Sequence, residues 1–185
     1  MNTDGKRILG IVGSPRKGSN THILVERVLD GAKSMGAEPK KVTLGELDIR
    51  PCRACDACSK TGKCVQKDDF HDLLEDMENS NIWVLGSPVY WWGPTAQFKS
   101  FLDRWYSINR SIFRGKKAIV VAPLGGGSVH YARHLTGMFE DIFDYLGIVS
   151  FESIVVPSVN KRGEVQNHPD ILQRAFETGK RAMET

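Results

Sequence analysis

The stretch RILGIVGSPRKGSNT, residues 7–21, contains a short apolar run, a glycine and then a polar loop. The run from Arg7 to Gly13 predicts a buried β-strand, because it is short, rich in aliphatic residues and ends at glycine. From about Asn20 to Met35 apolar residues recur at helical spacing, so a helix follows the loop. A strand, a loop and a helix in this order indicate the start of an α/β fold.

The remainder of the chain repeats this alternation. Five predicted strands alternate with five predicted helices, which indicates a parallel sheet covered by helices on both faces. We expect a single domain over residues 1–185, since a chain of this length with 41% hydrophobic residues can bury one compact core. The other predicted strands are 39–44, 82–88, 116–124 and 150–159, and the other predicted helices begin near Phe70, at Pro94, near Leu135 and at Pro169.

Composition excludes several classes of function. The net charge is only +3 and the basic residues are dispersed, so no nucleic-acid partner is expected. No apolar run is long enough to cross a bilayer, and the first residues lack a signal-peptide pattern. We therefore expect a cytoplasmic protein without a membrane partner, in a reducing compartment where stable disulfides are rare.

The loop after the first strand, residues 13–21 (the phosphate loop), has the composition of a phosphate site. Gly13 and Gly18 allow tight turns, and the following helix offers free backbone N–H groups. A Walker A pattern is absent because Ser19, not lysine, follows the second glycine, and the Rossmann glycine pattern is absent too. The loop therefore suits a small terminal phosphate, although a polar helix cap is the alternative. The polar side chains it offers are Ser14, Arg16, Ser19, Asn20 and Thr21.

Two further loops follow predicted strand ends. The segment Pro88–Gly93 contains three consecutive aromatic residues, which cannot all point into one core because strand side chains alternate. The segment Leu124–Gly127 contains three glycines, so its backbone can approach a ligand closely. Ligands of such sheets bind beyond the carboxyl ends of the strands, so the three loops together suit a phosphorylated flat heterocycle. Subunit packing explains Trp91 and Trp92 equally well, and the two explanations are compatible.

The motifs GSPRKGSNT and SPVYWWGPTAQFKSFLDR resemble the FMN-phosphate and isoalloxazine loops of the flavodoxin-like NAD(P)H-dependent FMN reductases, and the resemblance covers nearly the whole chain. It implies a three-layer flavodoxin-like sandwich with a five-stranded parallel sheet of order 2-1-3-4-5, and bound FMN. It implies phosphate contacts from Ser14, Arg16, Ser19, Asn20 and Thr21. It also implies ring and ribityl contacts from Pro88, Val89, Tyr90, Trp91, Trp92, Gly93, Leu124, Gly125, Gly126 and Gly127.

The activity implied by this resemblance is electron transfer from NAD(P)H to a flavin, a quinone, a similar small acceptor or a protein. The flavin would carry the chemistry, so we expect no catalytic acid or base from the side chains. The five histidines are dispersed and are expected to be surface or capping residues. The exposed aromatic residues suggest a homodimer or a homotetramer.

All four cysteines lie in one loop, residues 51–68 (the cysteine loop), which is inserted after the second predicted strand. The C-x2-C-x2-C spacing places three thiolates on one short turn, and a fourth cysteine can complete the set, as in ferredoxin-type ligation. The loop also resembles that of the iron–sulfur flavoprotein branch, which implies a [4Fe–4S] cluster near the flavin. An empty loop, zinc and disulfides are the alternatives. The candidate ligands are Cys52, Cys55, Cys58 and Cys64.

Three functions are therefore open. The leading one is an FMN-dependent reductase that uses NAD(P)H. The second is an iron–sulfur flavoprotein that acts as an electron carrier. The third is a flavin module whose thiols sense oxidants. The phosphate loop fits all three, so it does not distinguish between them.

Overall fold

The computed structural model describes residues 5–184, except for the side chain of Phe151. Its centre is a five-stranded parallel sheet of order β2-β1-β3-β4-β5, which confirms the expected order. The strands are Arg7–Val12 (β1), Glu38–Thr43 (β2), Ile82–Gly86 (β3), Lys117–Pro123 (β4) and Val149–Val156 (β5). The helices are Asn20–Ser34 (α1), Ala57–Thr61 (α2), Phe70–Glu78 (α3), Ala96–Asp103 (α4), Arg133–Leu146 (α5) and Pro169–Glu184 (α6).

Helices cover both faces of the sheet and bury two separate apolar cores. Helices α1 and α6 form one core with residues such as Val28 and Ala182. Their axes come very close, because a Cβ atom on Gly31 would lie 1.9 Å from the Phe176 carbonyl oxygen. Helices α3, α4 and α5 form the other core, which is rich in aromatic rings. This arrangement confirms the three-layer sandwich.

The central strands end at one edge of the sheet, and their hydrogen bonds continue into the loops beyond. Gly13 N donates to Gly86 O (2.7 Å), and Val89 N donates to Pro123 O (3.1 Å). Leu124 N continues the series by donating to Val156 O (2.9 Å). The loops after β1, β3, β4 and β5 are therefore held side by side at this carboxyl edge, where ligands of such sheets bind.

The third predicted helix begins later in the structure than the sequence indicated. Pro94 was expected to open it, but α4 begins at Ala96 and Thr95 is its N-cap, with Oγ1 accepting a hydrogen bond from Phe98 N (3.3 Å). The threonine side chain accepts a hydrogen bond from a free N–H group of the first helical turn, whereas proline has no N–H group and offers no such acceptor. The helix therefore begins after the N-cap residue Thr95. The helix ends at Asp103, and Arg104–Ser107 continue as a 3-10 turn.

The short helix α2 within the cysteine loop was not predicted. It has no buried residue, so no apolar stripe marked it in the sequence. No helix in residues 5–184 is both long enough and apolar enough to span a bilayer.

Candidate functional site at the carboxyl edge of the sheet

The two ends of the phosphate loop are buried, residues 15–18 between them are exposed, and internal hydrogen bonds already order the loop. Ser14 Oγ accepts from Arg16 N (3.3 Å), and Ser19 caps α1 by accepting from His22 N (3.3 Å). Gly18 has a positive φ of +62°, which a glycine adopts without strain. The Thr21 hydroxyl is buried and has no hydrogen-bond partner among the described residues. An unpaired buried polar group costs about 1–3 kcal/mol, so a ligand oxygen at this position would be stabilised.

Asn20 ties the phosphate loop to the loop after β5. Its Nδ2 donates to Val159 O (3.1 Å) and to Lys161 O (2.9 Å), and its Oδ1 accepts from Val165 N (3.0 Å). Both amide hydrogens are therefore used within the protein. The backbone N–H of Asn20, in the first turn of α1, is therefore the donor of this residue that remains available to an anion.

The loop after β5 adds residues to this site that were not predicted from the sequence. Glu164 Oε2 accepts from both Asn160 N and Lys161 N (2.7 Å each), which shapes the loop. The Arg162 guanidinium reaches Gly18, where a Cβ atom would lie 3.2 Å from Nη2. Within the described part of the chain, it makes no hydrogen bond or ion pair. The available signal was the basic pair Lys161 and Arg162 in the loop after the last strand, at the edge where the other ligand-binding loops lie.

A cavity of about 130 Å³ lies between these loops. Pockets that enclose a whole drug-sized ligand measure about 300–1,000 Å³, so this volume suits the phosphate end of a larger molecule. Of the predicted contacts, Trp91, Trp92, Gly93, Gly126 and Gly127 do not line it. The lining includes the predicted Ser14, Arg16, Ser19, Asn20, Thr21, Pro88, Val89, Tyr90, Leu124 and Gly125, together with Asn160, Lys161 and Arg162.

Residues 90–93 form a tight turn that presents two indole rings. Tyr90 N donates to Gly93 O (2.9 Å), and Gly93 N donates to Tyr90 O (3.0 Å). The two residues between them have positive φ angles, +49° for Trp91 and +64° for Trp92. Left-handed backbone costs about 1–2 kcal/mol for each such side chain, and strain of this kind clusters at functional sites. The Trp91 side chain is 91% exposed.

The glycine loop after β4 is packed by the protein's own side chains. A Cβ atom on Gly125 would lie 3.1 Å from Asn160 Oδ1, and one on Gly126 would lie 2.6 Å from Tyr131 Cδ2. Ser158 N donates to Gly126 O (3.0 Å), so this loop is also bonded to the loop after β5. A side chain at Gly126 would therefore collide with the Tyr131 ring, and one at Gly125 would need Asn160 to shift by a small amount.

His22 is buried behind the phosphate loop and contacts it, whereas the sequence pattern favoured surface or capping histidines. Its Nδ1 lies 3.0 Å from Ser19 Oγ, and its Nε2 lies 3.3 Å from Thr43 Oγ1. Burial lowers the pKa of His22, and the nearby Lys41 lowers it further. A neutral ring is therefore favoured, braced between α1 and the end of β2.

The cysteine loop lies between β2 and α3, away from this cavity. Cys52 and Cys55 are exposed, Cys58 and Cys64 are half-buried, and all four are free thiols. All four line a second, partly open cavity of about 920 Å³, whose other walls include the 104–108 turn and α5. Nevertheless, residues 5–184 bring no three His, Cys, Asp or Glu side chains close enough together to hold a metal ion.

The cysteine loop is anchored at its end by a buried ion pair. Arg104 donates from Nη1 and Nη2 to the two carboxylate oxygens of Asp68 (2.6 and 3.1 Å), and Nη1 also donates to Arg50 O (2.9 Å). Both charged side chains are almost completely buried. Burial raises the pKa of Asp68, but the hydrogen bond and charge of Arg104, together with hydrogen bonds from the backbone N–H groups of Arg50 and Phe70, outweigh it and hold this pKa below its usual value.

Two buried N–H groups beside the second cavity have no acceptor among the described residues: Arg104 Nε and Trp105 Nε1. Four thiols are the usual donor set for an iron–sulfur cluster. The residues therefore fit such a cluster in donor type, donor number and shared cavity, although the thiols are not gathered.

Comparison with known proteins places the chain in a family. The NADPH-dependent FMN reductase family model matches residues 6–161. The chain is 38% identical to an iron–sulfur flavoprotein of Methanocaldococcus jannaschii over 53% of this chain and 51% of the relative, so it spans about half of that relative. It is 33% identical to the iron–sulfur flavoprotein of Methanosarcina thermophila over 77% of this chain and 73% of the relative.

Among solved structures, an NAD(P)H:quinone oxidoreductase from Methanothermobacter marburgensis superposes with a TM-score of 0.77 at 17% identity, covering 94% of each chain. At this identity the likeness shows the fold alone. From the family match and the two sequence relatives, the chain belongs to the NADPH-dependent FMN reductase family, within its iron–sulfur flavoprotein-like branch.

Proposed function

We propose that this chain is an FMN-dependent oxidoreductase that transfers electrons from NAD(P)H to a small acceptor such as a flavin or a quinone. The observation that carries the proposal is the unsatisfied phosphate loop, in which the buried Thr21 hydroxyl and the unpaired Arg162 guanidinium flank the N-terminus of α1. A phosphate is stabilised there by the helix field and by charge-assisted hydrogen bonds. Family membership supports FMN as the molecule that carries this phosphate.

Bound FMN would supply the hydride-accepting ring. The protein's residues would orient it: the loop after β1 and Arg162 would hold the phosphate, whereas Pro88–Tyr90 and Leu124–Gly125 would hold the groups beyond it. The chemistry at the ring requires no acid or base from the chain, and we assign none.

The exposed aromatic turn supports a homodimer or a homotetramer. The Trp91 side chain is 91% exposed, and tryptophan is enriched where protein surfaces meet. A second copy seated on the turn would cover this ring and close the open side of the flavin site. A reducing compartment such as the cytoplasm suits the four free thiols, and we propose neither a nucleic-acid nor a membrane partner.

A second candidate function is that of an iron–sulfur flavoprotein carrying electrons between the flavin and a [4Fe–4S] cluster. It is favoured by the cavity that all four cysteines line, Cys52, Cys55, Cys58 and Cys64. The names of the two sequence relatives agree with it. In this case the acceptor or donor would be another electron-transfer protein.

The phosphate assignment is tested by comparing FMN with riboflavin, which lacks the phosphate. Arg162→Met should weaken FMN binding about 10- to 100-fold, because a hydrogen bond to a charged group contributes about 1.5–3 kcal/mol. Riboflavin affinity should stay unchanged. Arg174→Met is the matched control, since Arg174 pairs with Glu152 (2.9 Å) outside the site. An equal loss for both ligands in Arg162→Met would contradict the assignment.

The activity is tested by mixing the FMN-loaded protein with NADPH or NADH without air. Rapid loss of flavin absorbance, followed by turnover with a quinone or a free flavin, is the expected result. Reduction without turnover would favour the electron carrier. A flavin that neither nucleotide reduces would refute the proposed reductase.

A further inference from the structure

The two unpaired N–H groups beside the cysteine cavity are unusual for a folded protein, because buried donors nearly always have acceptors. Trp83 shows the ordinary situation in the same aromatic cluster. Its ring centroid lies 5.9 Å from that of Trp105, and its Nε1 donates to Met77 O (3.2 Å). Trp105 Nε1 is equally buried but has no such partner among the described residues. The missing acceptor is thus particular to the position beside the cysteines.

Arg104 is held by three hydrogen bonds, and its Nε atom takes part in none of them. Its two Nη atoms are used by Asp68 and by Arg50 O, and its guanidinium lies 4.5 Å from the centre of the Phe70 ring. Nε is the one guanidinium nitrogen that has no acceptor at all among the described residues. Burial lowers the pKa of Arg104, but the hydrogen bond and charge of Asp68, with smaller contributions from Cys64, outweigh it and raise this pKa.

We propose that Arg104 Nε and Trp105 Nε1 donate hydrogen bonds to the sulfur atoms of a cluster held by the cysteine loop, and so raise its reduction potential. The proposal rests on the iron–sulfur candidate function stated above. Both residues line the cavity that all four cysteines line, and thiolate and sulfide sulfur atoms accept hydrogen bonds. The reduced cluster gains one electron and one negative charge, so N–H donors stabilise it more than the oxidised form. No proton moves and no bond to the protein breaks.

The sharpest test is Trp105→Phe, which keeps an aromatic ring and removes one N–H group. After anaerobic reconstitution with iron and sulfide, we expect unchanged iron content and a midpoint potential, measured by a titration followed by electron paramagnetic resonance, that is shifted to more negative values. Trp83→Phe is the matched control. It loses a hydrogen bond to Met77 O and should be less stable, with an unchanged potential. An unaltered potential in Trp105→Phe, or equal shifts in both variants, would overturn the proposal.

Arg104→Lys supplies a second, independent measurement. Lysine retains a cation for Asp68 but has no Nε–H at that position, so the potential should again fall, or the iron content should drop. If Arg104→Lys does not fold, Trp105→Phe alone tests the proposal, because that variant keeps the Asp68–Arg104 ion pair intact. FMN content serves as an internal standard in every sample.

The outcomes separate this inference from the proposed reductase. A wild-type chain that binds FMN and is reduced by NADPH, but takes up no iron or sulfide on reconstitution, overturns the inference and leaves the reductase standing. A chain that loads a cluster with the expected shifts, but whose flavin NADPH does not reduce, refutes the reductase and supports the inference.

Discussion

The phosphate loop and the cysteine loop both follow strands of one sheet, but they are held in different ways. The phosphate loop follows the interior strand β1, its Ser14, Ser19, Asn20 and Thr21 side chains are buried, and Asn20 bonds it to the loop after β5. The cysteine loop follows the edge strand β2. Its middle, residues 56–63, bonds within itself, and the buried Asp68–Arg104 pair fixes its end.

The difference separates a site that is formed before its ligand arrives from one that depends on its ligand. The phosphate loop already has its shape, and only a few donors lack partners. In the cysteine loop the donors share a cavity without being gathered. Metal–thiolate bonds commonly supply the missing order in such segments. The following variants test this contrast from the largest expected effect to the smallest.

The largest effect is expected at the end of the cysteine loop. Asp68→Asn leaves the Arg104 guanidinium buried without its counter-charge, and breaking a buried pair in this way costs about 3–5 kcal/mol. Denaturant unfolding of the metal-free protein measures the change. Asp103→Asn is the control, because Asp103 and Lys99 form an exposed pair whose loss costs at most about 1 kcal/mol. Similar losses in both variants would mean that the buried pair does not anchor the loop.

The same variant has a pH signature. Because Arg104 holds the pKa of Asp68 below its usual value despite burial, the ion pair contributes its full stability above the pH where an unfolded aspartate titrates, about 4. That contribution is lost as the pH falls through the lower folded pKa. The free energy of unfolding should therefore decline less steeply below about pH 4 in Asp68→Asn than in the wild type.

A smaller effect is expected in the phosphate loop. Thr21→Val removes the unpaired hydroxyl while nearly keeping the side-chain shape, so FMN affinity should fall about tenfold. The ligand-free protein should be as stable as before or up to about 1 kcal/mol more stable. Fluorescence titration and denaturant unfolding measure the two quantities. Thr136→Val, on α5, should leave FMN affinity unchanged, since its hydroxyl bonds to Ala132 O. A clear loss of ligand-free stability in Thr21→Val would show that its hydroxyl has a partner.

The smallest effect is expected within the cysteine loop itself. Ala54 has a φ of +49°, so Ala54→Gly should stabilise the metal-free chain by up to about 1 kcal/mol. Ala57→Gly, in the first turn of α2, should instead destabilise it by about 0.5–1 kcal/mol. Thermal unfolding of both variants measures the sign of each change in stability. Equal changes of the same sign would show that residues 52–57 do not hold this backbone in solution.

The strands, the helices over the sheet and the ligand-bearing edge could all be predicted from the sequence. Their signals are local: apolar periodicity, glycines and a polar loop at a strand end. The resemblance to FMN reductases supplied the strand order, which the structure confirms. Helix α4 shows the limit of such reasoning, since Thr95 and not Pro94 decides its start.

Only the tertiary structure decided which side chains meet. Arg162 is far from Gly18 in the chain, and it reaches the phosphate loop because Asn20 pins the loop after β5. In the sequence, nothing distinguishes Arg104 and Asp68 from charged residues at the surface. In the structure, packing buries them as an ion pair. Periodicity reports which face of an element is apolar, but the partner of a buried charge or an unpaired N–H depends on long-range contacts. The sequence by itself therefore determined the architecture and the candidate binding residues. The tertiary structure determined which buried polar groups lack a hydrogen-bond partner within the protein and are available to a bound molecule.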